Sequence, residues 1–216
     1  MAQIFGSTAN TVAKVSIVAG AMLFGGGLIL INAIDRSAYT SGVNIPPEQP
    51  VPFSHKHHVS GVGIDCRYCH TSVEKSATSG IPATEICMSC HTQIWADAPM
   101  LEPVRESYRT GKSIEWVKVH DLPAYAYFHH AIHVNKGFSC ATCHGRVDQM
   151  PLIWKVNTLH MNWCLDCHRN PEKYIRPKEE VYNMAYQPKE DQLVLGARLV
   201  KEYNVRKLTD CSVCHR

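Results

Sequence analysis

Five runs of the form Cys-x-x-Cys-His punctuate this chain, at residues 66–70, 87–91, 140–144, 164–168 and 211–215. Together they use all ten cysteines. A lone Cys-x-x-Cys suits a zinc site, a redox dithiol or a disulfide equally well. Histidine is 13 of 216 residues, and the chance that it follows every one of the pairs is on the order of one in a million.

One chemistry needs every residue of the run. Two thiols at this spacing add across the two vinyl groups of a porphyrin, and the adjoining histidine then lies under the iron as its proximal ligand. The sequence therefore predicts five covalently attached haem c groups. Their thioether bonds come from Cys66 and Cys69, Cys87 and Cys90, Cys140 and Cys143, Cys164 and Cys167, and Cys211 and Cys214, and their proximal ligands are His70, His91, His144, His168 and His215.

Outside the apolar segment described next, about 180 residues serve these groups, roughly 36 each, too few to wrap every haem in its own apolar core. The haems must then be most of the core. This predicts a mainly α, irregular multihaem cytochrome with short helices starting near the attachment runs and little or no sheet. The formal charge is +3, but ten propionates and five ferric porphyrins bring it to about −2 oxidised and about −7 reduced. A nucleic-acid partner is not indicated. Haem attachment takes place outside the cytoplasmic membrane, in an oxidising compartment where free thiols would otherwise pair, so the haem domain is expected to be exported.

Residues 15–34 form a run with only Ser16 and Asn32 as polar interruptions, bracketed by Lys14 and Asp35-Arg36. That length spans a bilayer. A cleaved signal peptide competes, because Ala19-Gly20-Ala21 resembles a small-residue cleavage site, but the apolar stretch continues well beyond it. The reading taken is a retained N-terminal transmembrane helix, with Lys14 inside and everything after Asp35 on the periplasmic side. Ala21 and Gly25-Gly26-Gly27 open a notch suited to a partner helix. The expected organisation is a cytoplasmic arm at 1–14, the membrane anchor at 15–34, a spacer at 35–52 stiffened by Pro46, Pro47, Pro50 and Pro52, and a haem domain at 53–216.

Within that domain a motif recurs. Phe53-Ser-His55-Lys-His57-His58-Val59 precedes Cys66, and Phe128-His-His130-Ala-Ile-His133-Val134 precedes Cys140. Histidines three apart lie on one side of a helix, so one turn can serve two macrocycles. The repeat divides the domain into a two-haem part, 53–127, and a three-haem part, 128–216, with similar local pairing expected in both. Between His168 and Cys211 lie a charged, proline-bearing loop and an amphipathic helix over 192–203. That stretch could hold the fifth haem apart, dock a partner or simply connect.

Eight further histidines, His55, His57, His58, His120, His129, His130, His133 and His160, exceed the five distal positions. With the third run at Cys140 and His160 four residues before Cys164, the back part resembles the triheme class III cytochromes c. That resemblance implies His130 for the haem at Cys140, His133 for that at Cys164 and His160 for that at Cys211, and by the same logic His55 for Cys66 and His58 for Cys87. His57, His120 and His129 are left over. His120, set in Val119-His120-Asp121-Leu122-Pro123, stays an alternative ligand, as do Met161 and Met150, whose thioethers would raise a haem's potential. Packing beside Trp163 is the competing role for Met161.

Over nearly its full length the exported region resembles the pentahaem cytochrome subunit of alternative complex III. The resemblance is carried by F-S-H-K-H-H before Cys66, V-H-D-L-P before Phe128, C-A-T-C-H-G at Cys140 and M-N-W-C-L-D-C-H-R from Met161, together with the N-terminal anchor. It implies an electron-transfer subunit with no catalytic site of its own. Electrons would come from quinol oxidised in integral membrane partners, through an iron–sulfur subunit, and leave to a monohaem cytochrome c or external acceptor in a respiratory or photosynthetic chain. Multihaem subunits of other molybdoenzyme-like membrane complexes share the front motifs. A multihaem reductase needs an open iron, which the surplus of histidines opposes. A stand-alone tetrahaem quinol dehydrogenase is disfavoured by the spacer and the fifth run.

Overall fold

The computed structural model describes residues 5–215. Residues 1–4 of the expected cytoplasmic arm, and Arg216, lie outside them. The chain divides into two units between Val43 and Asn44.

The first unit holds helix α1, Ser7–Asp35, and a single turn, α2, Ala38–Ser41. At 1.5 Å per residue α1 is about 43 Å long. By length and composition it can cross a membrane, and no part of its apolar window is buried in the protein. Its end is closed locally: the Ser37 and Thr40 hydroxyls donate to the Ile34 carbonyl at 2.6 and 2.8 Å, satisfying a carbonyl that the finished helix leaves open.

The second unit is built of short helices and loops: α3, Cys66–Cys69; α4, Thr84–His91; α5, Glu102–Thr110; α6, His130–Asn135; α7, Cys140–His144; α8, Met161–Arg169; α9, Gln192–Glu202; and α10, Cys211–Cys214. Among the described residues there is no β-strand, only isolated pairing such as Phe138 with Ile175. Three of the attachment runs begin a helix on their first cysteine. The residue ahead sets the start in two of them, where the Asp65 carboxylate accepts from Arg67 N–H at 2.8 Å and the Ser139 hydroxyl from Ala141 N–H at 3.1 Å, as N-caps do. In α4 and α8 the run instead occupies the later turns.

The apolar core is split into small clusters. Val51, Met88, Leu101 and Val104 form one, Val73, Val134 and Val181 another, and Ile175, Leu195 and Leu199 a third. Val51 ties the end of the proline-rich segment into the first. Two residues earlier, the Gln49 amide donates to the Val117 carbonyl and accepts from its N–H, at 2.8 and 3.0 Å.

The two Phe-x-His-x-x-His segments differ in winding. The interval from Phe53 to Cys66 is one residue longer than that from Phe128 to Cys140. The first segment absorbs the extra residue as a π-helix, Lys56–Gly61, where the second is the α-helix α6. Such wide turns are the usual way a helix accommodates one inserted residue. The π-helix docks on residues 147–150, with the Ser60 hydroxyl donating to Asp148 O at 2.6 Å and Lys56 N–H to Met150 O at 3.0 Å.

The stretch between His168 and Cys211 packs on itself. Asp191 caps α9 by accepting from Leu193 and Val194 N–H at 2.9 and 3.2 Å, and the helix lies against the turn Pro171–Lys173. Gly196 makes this approach possible, because a Cβ there would fall inside the Glu172 carbonyl.

Candidate haem-binding sites

The two Phe-x-His-x-x-His segments arrange their rings alike. Phe53 meets His55 edge-on, with centroids 4.9 Å apart, and stacks on His58 at 4.4 Å. Phe128 meets His130 edge-on at 4.8 Å and stacks on His133 at 4.4 Å. The second histidine of each is anchored one turn back: His58 Nδ1 donates to Ser54 O and His133 Nδ1 to His129 O, both at 2.8 Å.

Backbone carbonyls fix other histidines in the same way. His70 Nδ1 donates to Gly80 O, His91 Nδ1 to Ile94 O and His130 Nδ1 to Ala77 O, each at 2.8 Å, and His215 Nδ1 to Tyr125 O at 3.0 Å. A carbonyl can only accept, so Nδ1 carries the proton and Nε2 keeps its lone pair, the form and orientation in which imidazole binds iron.

These rings come together in pairs. His58 and His91 have centroids 6.3 Å apart, His130 and His144 6.3 Å, and His133 and His168 6.1 Å. An imidazole nitrogen binds a metal at about 2.0 Å, so two rings on opposite sides of one ion have centroids roughly 6 Å apart. The residues fit an iron between each pair. His55 is buried near His70, and burial, with His70 and His58 adding to it, lowers its pKa to about 4. His144 is lowered to about 3, by burial first and then by His120, His130, His70 and His55. These rings are neutral, as ligands must be.

Three of the thiols do not suit a reactive dithiol. Burial, first among the causes, pushes Cys143 and Cys167 up to about 12 and Cys140 to about 11, whereas reactive dithiols hold a lowered thiol pKa. Among the described residues no group of three or more His, Cys, Asp or Glu side chains could hold a metal ion.

The remaining candidates fall in different places. His120 lies against His144, ring centroids 4.2 Å apart, with a buried Nε2 that has no hydrogen-bond partner. It therefore sits beside the Cys140 site rather than the Cys211 site. His57 stacks on Trp95 at 5.7 Å, and His129 precedes α6 with a buried, unpartnered Nδ1. His160 precedes α8, where its N–H donates to the Thr158 hydroxyl at 3.3 Å. Met161 is exposed and Met150 is buried.

Residues 132–216 match the family described as cytochrome c3, and residues 51–106 the family described as cytochrome c7 and related cytochrome c. The fold is that of a multihaem cytochrome c of the c3/c7 type. Over 126 residues the chain is 32% identical to the protein named "Menaquinone reductase, multiheme cytochrome c subunit" of Nitratidesulfovibrio vulgaris (strain Hildenborough), covering 58% of this chain. The chain spans 59% of the length of that relative.

In cytochromes of this type haem c is bound covalently, and when bound it supplies one-electron redox chemistry. What the chain supplies is ligand orientation, and much of that comes from backbone atoms that no motif announces. The carbonyl clamps at Gly80, Ala77, Ile94 and Tyr125 are invisible in the sequence, except that Gly80 is a glycine for a reason. Its φ is +79°, and a Cβ there would stand 3.0 Å from Ser72 Oγ. We expect Gly80→Ala to cost about 1–2 kcal/mol of stability and to shift the signal of the iron for which His70 is the expected proximal ligand. A calorimetric scan with a redox titration of the haem-loaded protein checks both.

Proposed function

We propose that this chain is the pentahaem electron-transfer subunit of an alternative complex III-type quinol oxidoreductase, held in the cytoplasmic membrane by α1 with its haem unit on the periplasmic side. It carries electrons from quinol oxidised in integral membrane and iron–sulfur partner subunits to a monohaem cytochrome c or another acceptor, and has no catalytic site of its own. The relative's name favours a quinone-linked complex of this general kind. The alternative is a multihaem subunit of another membrane-bound, molybdoenzyme-like complex; the relative's name supports a menaquinone-linked assembly and goes no further.

The observation that carries the electron-transfer reading is the set of three histidine pairs at 6.1–6.3 Å. An iron closed on both faces by imidazole has no position left for a substrate and is suited to electron transfer alone. In the assignment proposed, His58 closes the site at Cys87, His130 that at Cys140, His133 that at Cys164 and His55 that at Cys66. His160 is assigned to Cys211, with Met161 its competitor. Low-temperature electron paramagnetic resonance of the oxidised, purified holoprotein is expected to show low-spin signals only, with five haems per chain by pyridine haemochrome. A stoichiometric high-spin haem that binds small ligands would replace the reading with that of a reductase.

A further inference from the structure

We infer that the five attachment sites form one unbranched row in the spatial order Cys87, Cys66, Cys140, Cys164, Cys211. The second site in sequence is thus an end of the row, and the first joins the two parts of the haem unit. The inference rests on the five-site reading above and adds to it which sites are neighbours.

Each link has its own contacts. Between the Cys87 and Cys66 runs, the Tyr68 and Ser89 hydroxyls, both inside the Cys-x-x-Cys spacers, are hydrogen-bonded at 3.1 Å. Phe53 meanwhile touches His55 and His58, the distal histidines proposed for those two sites.

Between the Cys66 and Cys140 runs, one loop clamps a histidine of each. Gly80 O holds His70, while Ala77 O accepts both the Nδ1–H and the backbone N–H of His130, at 2.8 and 3.1 Å. The π-helix that follows His55 is bonded through Ser60 to Asp148, just beyond the Cys140 run. The Cys66 and Cys140 side chains also stand close enough to interact.

Phe128 touches His130 and His133, and a cavity is lined on one side by Thr142 and Cys143 and on the other by Trp163 and Cys167. That places the Cys140 and Cys164 sites together. The fifth run is fastened to the segment leading into Phe128, by Tyr127 N–H to Cys214 O at 2.8 Å and by His215 to Tyr125 O at 3.0 Å. Cys214 also stands close enough to Cys164 for their side chains to interact. Among the described residues, no hydrogen bond or ring contact joins the Cys87 run to the third, fourth or fifth runs, or the Cys211 run to the first or second.

Counting neighbours tests the order. Alanine at a distal histidine opens one iron, and reduction followed by partial reoxidation under carbon monoxide leaves that site ferrous and diamagnetic while the others are ferric. Each spatial neighbour then loses its dipolar broadening in the paramagnetic resonance spectrum. The expected result is relief of one signal in His58→Ala and of two in each of His55→Ala, His130→Ala and His133→Ala. Two relieved signals in His58→Ala, or one in His55→Ala, would overturn the order.

A variant that loads all its haems but gives no carbon monoxide adduct refutes its ligand assignment instead, for position 130 only when the His120→Ala/His130→Ala double variant gives none either, and the order is read from the rest. Should an alanine variant not accumulate, the methionine variant keeps the iron six-coordinate and raises its potential. Its reduction should then lower the potentials of one neighbour in His58→Met and of two in His55→Met, and the reverse count would overturn the order.

Discussion

Alanine at Gly196 is expected to destabilise the haem unit by about 3 kcal/mol, at the upper end of what overpacking costs. The reason is the contact between α9 and the turn Pro171–Lys173, where the helix surface meets the Glu172 backbone with no side chain between them. Flexible side chains can swing away from an added methyl, but a carbonyl held in a turn cannot. The helix must lift, and lifting it strips Leu195 and Leu199 from Ile175, the third apolar cluster. It also breaks the bonds from the Gln192 amide to Glu172 O and Ile175 O, at 3.0 and 2.8 Å. Chemical denaturation of the holoprotein, followed by circular dichroism at a wavelength free of haem absorption, checks this. A midpoint unchanged from the parent protein would mean that α9 is not packed on this turn. The Soret spectrum should be little changed, since no proposed ligand belongs to α9.

The fold class was legible from the attachment runs because they fix what the interior must contain. With roughly 36 residues for each of the five expected haems, neither a continuous apolar core nor a sheet is affordable, and short helices among loops are what remains. Short helices starting near the attachment runs were expected, and α3 and α7 start on a first cysteine, but the caps Asp65 and Ser139 that set those starts were not read. The winding of the π-helix was not read, although its signal is present: the interval from Phe53 to Cys66 exceeds its counterpart by one residue. Close packing of α9 on residues 171–173 was not legible either. A glycine within an amphipathic helix gives no indication of which backbone it admits.

At the candidate sites, the motifs mark which side chains to consider but not the backbone groups that hold them. The histidines that the resemblance to triheme class III cytochromes c implies for three of the distal positions, His58, His130 and His133, have ring centroids 6.1–6.3 Å from those of a proximal histidine. The carbonyls of Gly80, Ala77, Ile94 and Tyr125, which set the direction of the His70, His130, His91 and His215 rings, belong to residues of no common type, so composition cannot mark them. His120 stays an alternative ligand, but not through its neighbour: Asp121 turns to Lys118 at 3.9 Å, and the His120 ring lies on His144.

His130→Ala should have the largest functional effect of any single side-chain change. The variant keeps all ten cysteines, so every haem remains attached, but the iron between His144 and position 130 loses one imidazole and becomes five-coordinate. One haem in the chain turns high-spin and binds carbon monoxide, visible as a shift in part of the Soret band. In the proposed row the Cys140 site stands in the middle, with Cys87 and Cys66 on one side and Cys164 and Cys211 on the other. Altering it interrupts every electron that passes from one part of the unit to the other. The loss in quinol-driven reduction of the terminal acceptor by the intact complex should be at least the roughly 10- to 100-fold typical of disturbing a metal ligand's support. His120 sharpens the test, because its ring lies beside His144 with a buried, unpartnered Nε2. If His120 takes the vacant position, His130→Ala stays low-spin and the His120→Ala/His130→Ala double variant becomes high-spin. A low-spin spectrum in both the single and the double variant would remove His130 from the ligand set altogether.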